Sequence, residues 1–399
     1  MTTVITGLGL VSPVGDDPET YWNGLLAAHS APAPAADRPG MPDGAHAYRV
    51  PDRAGAPEPG TAADSAADPG SRYLRLARTA ALQALRDAGL ERRPDGAQTT
   101  TAGLFLGTGT GDGEPAEAVR DGRRTQSGGS WWPYRGAALL ADELDFTGPV
   151  QTVSTACSSG AYAIALAAHA VATGAVDVAL AGGAEVVSRP ALAAFMRLGA
   201  VDPVHCRPFD TDRAGTVYGE GAAFVVVESA RHAAARGAAA LATVGAGGWS
   251  CDGNHLTAPD EDGVQAAYAA RDALSRADLE PDDIAAVVCH GTGTPLNDRT
   301  ESRVLHGLLG PRVTSVPSTA PKSVIGHNGG AAGAFSCLTA VLMVRHSQVP
   351  PVANLASADP QCALSVSGDV RPMTPGPVLL NAYAFGGNNI SLVVGPVTA

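Results

Sequence analysis

A layered α/β fold made of two similar halves is what this sequence predicts, on three grounds. Short apolar runs that end in glycine alternate with stretches of helical periodicity, the pattern of strands joined by helices. The composition favours close packing of small side chains: of 399 residues, 48 are Gly, 45% are apolar and only 5% are aromatic. Two Ala/Gly-rich helical segments, one opening at Cys157 and one near His327, share a style that suggests an internal duplication. This apolar content fills a sizeable core and argues against wholesale disorder.

Taken in order, residues 3–8 read as a short strand running into the turn GLVSPVG, and 17–28 as a helix. Residues 29–71 are rich in Ala, Pro, Gly and Asp without an apolar period, so they are expected to form an exposed excursion, too polar for core. Residues 72–88 turn helical again, with Gly89 in a stop position. TAGLFLGTGTG reads as a buried strand ending in a glycine-rich loop. QTVSTACSSGAYAIALAAHAVATG gives a strand, a tight turn and a helix apolar on nearly every side, which belongs at the centre of the protein. VDVALAGGAEVV fits an interior strand. IAAVVCHGTGT and LLNAYAFGG repeat the strand-then-loop pattern, and GHNGGAAGAFSCLTAVLMV is the second small-residue helix.

Charge and cysteine usage narrow the function. The net charge of −12 argues against general nucleic-acid binding, which requires a basic face. Six scattered cysteines without a C-x-x-C pair point to a reduced, cytoplasmic protein with neither disulfides nor a structural metal. The start, MTTVITGLGL, lacks the basic and apolar regions of a signal peptide. The Ala-rich stretch 161–182 is broken by His169, Gly174 and Asp177, whereas a membrane span needs roughly 20 clean apolar residues.

Cys157 stands where a strand hands over to a helix. There the helix dipole and unpaired backbone N–H groups are expected to lower a thiol's pKa and make thiolate available. The bland alternative is a small buried hydrophobe. His290 ends a strand in CHGTGTPLND and His327 opens a helix in KSVIGHNGGAAG; the glycines around both suggest close approach of a substrate to the backbone. A thiol with histidines from separate segments is a coherent acyl-transfer set. Lys322, in a chain where lysine is scarce, is a candidate site cation or a solvated loop charge. NAYAFGGNN offers an aromatic followed by two glycines, a movable gate or a plain turn.

STACSSG, HGTGT with PLND, KSVIGH and AFGGNN, in that order, resemble the motif series of β-ketoacyl-acyl carrier protein synthases, the elongating type of fatty acid synthase II and type II polyketide systems. VITGLGLVSPVG, AGGAE at 181–185 and RPFDTDRAGTVYGEGAAFVVVE at 207–228 agree with it. The resemblance covers the chain apart from 29–71 and 110–135. It implies a thiolase fold, a duplicated five-layer α-β-α-β-α domain, with residues 1–236 forming the half that carries Cys157. Residues 237–399 would form the half that carries His290, Lys322, His327 and the Phe385 gate. It implies Cys157 as nucleophile, His290 and His327 as donors to the enolate oxygen, and Lys322 beside them. The backbone N–H groups of Cys157 and Phe385 would form the oxyanion hole, Thr292 and Thr294 would hold a phosphopantetheine arm, and Asp298 and Glu301 would support the network.

No bound cofactor is implied; substrates arrive on an acyl carrier protein. The chain would work as a homodimer or with a chain-length-factor-like subunit. Arg207, in the RPFD segment, is the leading candidate for carrier docking, with Arg72, Arg75, Arg123 and Arg124 as others. Two departures stand out: Ser336 occupies a position where the family often has a Glu paired with the lysine, and Ala384 replaces the glycine before the gate. Rival readings are a non-catalytic chain-length-factor-like subunit, which the retained Cys157 argues against, and a ketosynthase-like acyltransferase.

Overall fold

The computed structural model describes residues 1–35, 40–41, 43–52, 71–90, 101–122 and 132–397. The first half holds β1 (Thr3–Val11), β2 (Ala102–Gly107), β3 (Val150–Val153), β4 (Val178–Glu185) and β5 (Gly221–Ser229). Their spatial order is β3-β2-β4-β5-β1, with β2 parallel to β3 and β4, and β5 antiparallel to β4 and β1. After the short β6 (Ala242–Val244) come β7 (Gly248–Cys251), β8 (Ala286–Val288), β9 (Ser318–Thr319), β10 (Val378–Tyr383) and β11 (Asn388–Gly395). These lie in the order β9-β8-β10-β11-β7, with β8 parallel to β9 and β10, and β11 antiparallel to β10 and β7. Read by position in each half, both orders are third, second, fourth, fifth, first. The duplication suspected from two helices is therefore a duplication of the whole strand plan. β6 pairs antiparallel with β1 and β11 and joins the halves into one 11-stranded sheet.

Five layers follow from which face each strand residue presents. Along β2, Phe105 joins one apolar cluster while Leu104 and Leu106 join another, the period-two alternation of a strand covered on both sides. The central cluster packs both halves' inner faces around two helices, α3 (Ser159–Ala172) and α6 (Ala332–His346), with α1 (Arg72–Asp87) and α2 (Tyr134–Glu143) covering the outer face of the first half. On the second half, α4 (Val264–Arg276) and α5 (Pro295–Leu309) do the same. The central helices touch through small residues, as their composition requires. A methyl group on Gly333 of α6 would fall 2.6 Å from the backbone nitrogen of Ala161 in α3. No side chain larger than hydrogen fits there without moving a helix.

One expectation fails. The described parts of 29–71 are not simply an exposed excursion: Ala35, Met41, Ala45, Ala47, Tyr48 and Val50 are buried. A strand at His46–Tyr48 pairs with Tyr218–Gly219, so the polar composition hid a few apolar residues that a neighbouring strand covers. Among the described residues no helix is long and apolar enough to cross a membrane.

Candidate active site

The chemistry-bearing residues collect at the carboxyl ends of the parallel strands, where α/β sheets commonly bind ligands. Cys157 follows β3, His290 follows β8, Lys322 and His327 follow β9, and Phe385 follows β10. Cys157, His290, His327, Phe385, Thr292 and Thr294 line one cavity of about 320 Å³.

Cys157 sits in a single tight turn, Ala156–Ser158, that runs directly into α3. Ser159 builds this turn: its Oγ accepts from Thr155 N–H (2.9 Å) and donates to Ala156 O (2.6 Å). Ala156 is held at φ +51°, a left-handed conformation that an alanine adopts only under constraint. The backbone N–H groups of Phe385 and of Cys157 itself face the sulfur. The expected low thiol pKa is not found. Burial pushes the Cys157 thiol up to about 11, against the pull of the Lys322 charge and those N–H groups. Sequence could place the sulfur at a helix start but could not weigh how dry the place is.

Burial and the charge of Lys322 hold both His290 and His327 well below the usual histidine range, so both imidazoles are neutral at pH 7. The rings meet edge to face with centroids 5.8 Å apart. Lys322, the only lysine of the sequence, is buried; its Nζ donates to His290 O and lies 3.3 Å from His290 Nδ1. An ammonium only donates, so His290 Nδ1 accepts and Nε2 carries the hydrogen. His327 Nδ1, in contrast, is buried without a hydrogen-bond partner among the described residues.

The acids behind the histidines are spent on backbone. Glu301 accepts from His290 N–H (2.7 Å), Gly291 N–H (2.8 Å) and Asn381 Nδ2 (3.2 Å). Burial raises its carboxyl to about 7, and its charge is the strongest influence holding Lys322 up against burial, which lowers it. Asp298 accepts from the N–H groups of Phe209, Thr292 and Gly293 and pairs with Arg213. Ser336 is buried in α6 and brings no charge, leaving Glu301 and, more weakly, Asp298 as the acids whose charge reaches the lysine. Thr292 and Thr294 hydroxyls stand 2.8 Å apart at the cavity wall.

Three residues were not singled out from sequence. Glu185, at the end of β4, accepts from Gly109 N–H (2.6 Å), Thr110 Oγ1 (2.6 Å) and Gly330 N–H (2.8 Å), tying the loop after β2 to the turn that opens α6. A lone acid closing the apolar run VALAGGAE was the available signal. Phe195 touches both the gate and a catalytic candidate, with centroids 5.5 Å from Phe385 and 5.7 Å from His327. Nothing in PALAAFMRLG marks it. The third is Tyr48, which belongs to the buried strand described above.

The candidate docking arginines divide. Arg72 is not a surface group: its guanidinium is buried and paired with Glu220 at 2.6 Å, because it opens α1 against the core. Arg75 is half-buried on the same helix. Arg207 is partly exposed and pairs with Asp202 at 3.2 Å. Arg123 and Arg124 lie outside the described residues.

The chain resembles known proteins in sequence and in fold. The family profile described as Beta-ketoacyl synthase, N-terminal domain, matches residues 2–233, and that described as Beta-ketoacyl synthase, C-terminal domain, matches residues 241–356. A 3-oxoacyl-[acyl-carrier-protein] synthase 2 of Mycobacterium tuberculosis (strain ATCC 25618 / H37Rv) is 36% identical over 309 residues, 73% of this chain and 74% of that one. A putative polyketide beta-ketoacyl synthase 1 of Streptomyces halstedii is 33% identical over 429 residues, 98% of this chain and 97% of its own. Among solved structures, the ishigamide ketosynthase/chain length factor superposes with a TM-score of 0.89 at 34% identity, covering 100% of this chain and 99% of that one.

Proposed function

The chain belongs to the β-ketoacyl synthase family, and on that premise we propose that it extends an acyl thioester held on Cys157 by decarboxylative condensation with a malonyl unit on an acyl carrier protein. The observation that carries this reading is the convergence of an N–H-faced thiol, set by the strained turn at Ala156, and two neutral imidazoles on one cavity.

In the first step Cys157 sulfur attacks the carbonyl carbon of the incoming thioester, and the carrier thiol leaves. Burial keeps the proton on sulfur at neutral pH, so it passes, as the S–C bond forms, to the sulfur of the departing carrier thiol, and no group of the site is left with a new charge. The N–H groups of Cys157 and Phe385 stabilise the oxyanion that forms. In the second step the malonyl carboxylate leaves as carbon dioxide and its electron pair becomes an enolate. His290, with hydrogen on Nε2, and His327 donate to the enolate oxygen in a site where water is largely excluded. The enolate carbon then attacks the acyl carbonyl, and the collapsing intermediate expels Cys157 thiolate, which takes up one proton from solvent. Lys322 acts through His290, and Asp298 and Glu301 act through the loop they hold. Thr292 and Thr294 would receive the phosphopantetheine arm and Phe385 would gate it.

We place residues 1–236 and 237–399 as the two halves of the fold, and Arg207 as the basic contact for an acidic carrier. The solved structure named for both ketosynthase and chain length factor supports a heterodimer; a homodimer is the alternative. β3 is an edge strand with Val150 39% exposed, the kind of free edge a second subunit would cover. Six unpaired cysteines suit a cytoplasmic location.

The test is incubation of the purified protein with acyl-carrier and malonyl-carrier thioesters. Intact-mass spectrometry follows Cys157 and a Cys157→Ala control. An adduct on the wild type, carbon dioxide and a two-carbon-longer β-keto product are expected, with turnover in Cys157→Ala at least ~10³-fold lower. An adduct without extension would shift the reading to a missing partner subunit or to acyl transfer onto another acceptor. No adduct on folded protein would favour a scaffold subunit.

A further inference from the structure

His290 and His327 are held in different ways. Lys322 fixes one nitrogen of His290, whereas among the described residues no hydrogen bond fixes Nδ1 of His327. The orientation of His327 must come from its backbone and from ring contacts.

That backbone rests on the strand the sequence hid. His46–Tyr48 pairs in parallel with Tyr218–Gly219, Tyr48 opposite Gly219. Tyr218 in turn bridges to His327, whose N–H donates to Val217 O (2.8 Å) while its O accepts from Gly219 N–H (2.9 Å). The Tyr48 side chain acts on the same point. Its buried ring packs against Gly326, which holds φ +71°; a methyl group there would fall 2.9 Å from Tyr48 Cγ. Its hydroxyl lies 2.6 Å from Ser30 Oγ and donates to Ser323 O at 3.4 Å. Asn354 Nδ2 ties these together, donating to Ser30 Oγ (3.0 Å), Cys206 O (2.9 Å) and Ser323 O (3.2 Å). Ring and hydroxyl thus grip the turn that delivers His327.

We propose that Tyr48 is a positioning residue for His327, making the strand at 46–48 part of the condensation machinery. The inference rests on the condensing reading above. It predicts selective damage: carbon dioxide release, which uses His327, suffers more than acyl transfer to Cys157.

Wild type, Tyr48→Phe and Tyr48→Leu are compared as full chains. Acyl transfer is read by intact mass, carbon dioxide release from malonyl-carrier thioester separately, and melting temperature alongside. Tyr48→Leu is expected to keep acyl transfer within ~3-fold of wild type and to lose ~10- to 100-fold in decarboxylation, since a misplacement near 1 Å can cost about 10²-fold. Tyr48→Phe keeps the ring and loses only the hydroxyl tie, so a fall of ~3-fold in decarboxylation is expected. Equal loss in both half-reactions, or unchanged decarboxylation in Tyr48→Leu, overturns the inference while the condensing reading stands. Wild-type protein that accepts acyl groups yet releases no carbon dioxide, both alone and with a chain-length-factor-like subunit added, overturns both.

Discussion

The loop after β3 in the first half carries a thiol, whereas the equivalent loop after β9 in the second carries Lys322 and His327. The other carboxyl-end loops differ in the same sense. After β2 stand Thr108 and Thr110, but after β8 stands His290; β4 ends on Glu185, whereas β10 leads to Phe385. In the first half the buried acid is a fastener, its oxygens filled by Gly109, Thr110 and Gly330. In the second, Asp298 and Glu301 hold backbone N–H groups and leave the imidazoles turned to the cavity. One strand plan, used twice, offers equivalent loop positions; on the mechanism proposed above, the halves divide them between a covalent anchor and the groups that steer charge.

That division breaks if the wrong half-reaction responds to a change. His290→Ala and His327→Ala are each expected to slow carbon dioxide release by ~10²–10³-fold, the scale for losing one donor to a developing oxyanion. Acyl transfer to Cys157, followed by intact mass, should fall by only ~10-fold or less, since the departing carrier sulfur takes the thiol proton and neither imidazole is its necessary acceptor. Equal losses in the two steps would mean that the halves share both tasks. The pH dependence of Cys157 sharpens the point. Its thiol, pushed up to about 11, is protonated across the neutral range, so inactivation by iodoacetamide should rise about 10-fold per pH unit between roughly pH 7 and 9. A plateau near neutrality would show that helix dipole and Lys322 outweigh burial.

The strand-and-loop alternation, the two small-residue helices and the order of the four motifs were legible because each is local. Glycines and alternating patterns state their own geometry, and Cys157, His290 and His327 do reach one cavity. What was not legible depends on distance through space. Arg72 looked like a surface arginine until Glu220, 148 positions away, proved to be its buried partner. Tyr48 lay in a stretch whose composition is polar, and only the neighbouring Tyr218–Gly219 strand makes it core. The Cys157 pKa failed for a related reason: a helix start is a sequence feature, but dryness is a property of the whole assembly.

The seam between the halves offers a smaller perturbation. In Gly333→Ala the new methyl meets the Ala161 backbone nitrogen at 2.6 Å, a backbone atom that cannot swing away. Separation of α3 and α6 should cost ~1–3 kcal/mol, read as a lower denaturation midpoint. If both half-reactions instead stay intact with no loss of stability, the helices do not set the spacing between thiol and imidazoles.

Ala384→Gly probes the gate and should do least. Ala384 does not take a positive φ; Gly386 at +86° and Gly387 at +76° carry the unusual conformations of that loop. The Cβ at 384 therefore strains nothing in the observed state, and its removal chiefly loosens the unfolded chain, a cost of ~0.4–1 kcal/mol. Acyl transfer and condensation should both stay within about 2-fold of wild type, because a ground state free of strain gives glycine nothing to relieve. A change of ~10-fold or more in condensation alone would require an open gate in which residue 384 enters the region that alanine resists. In that case Ala384 would be a brake on the second half's chemistry, set by one methyl group at the lip of the cavity.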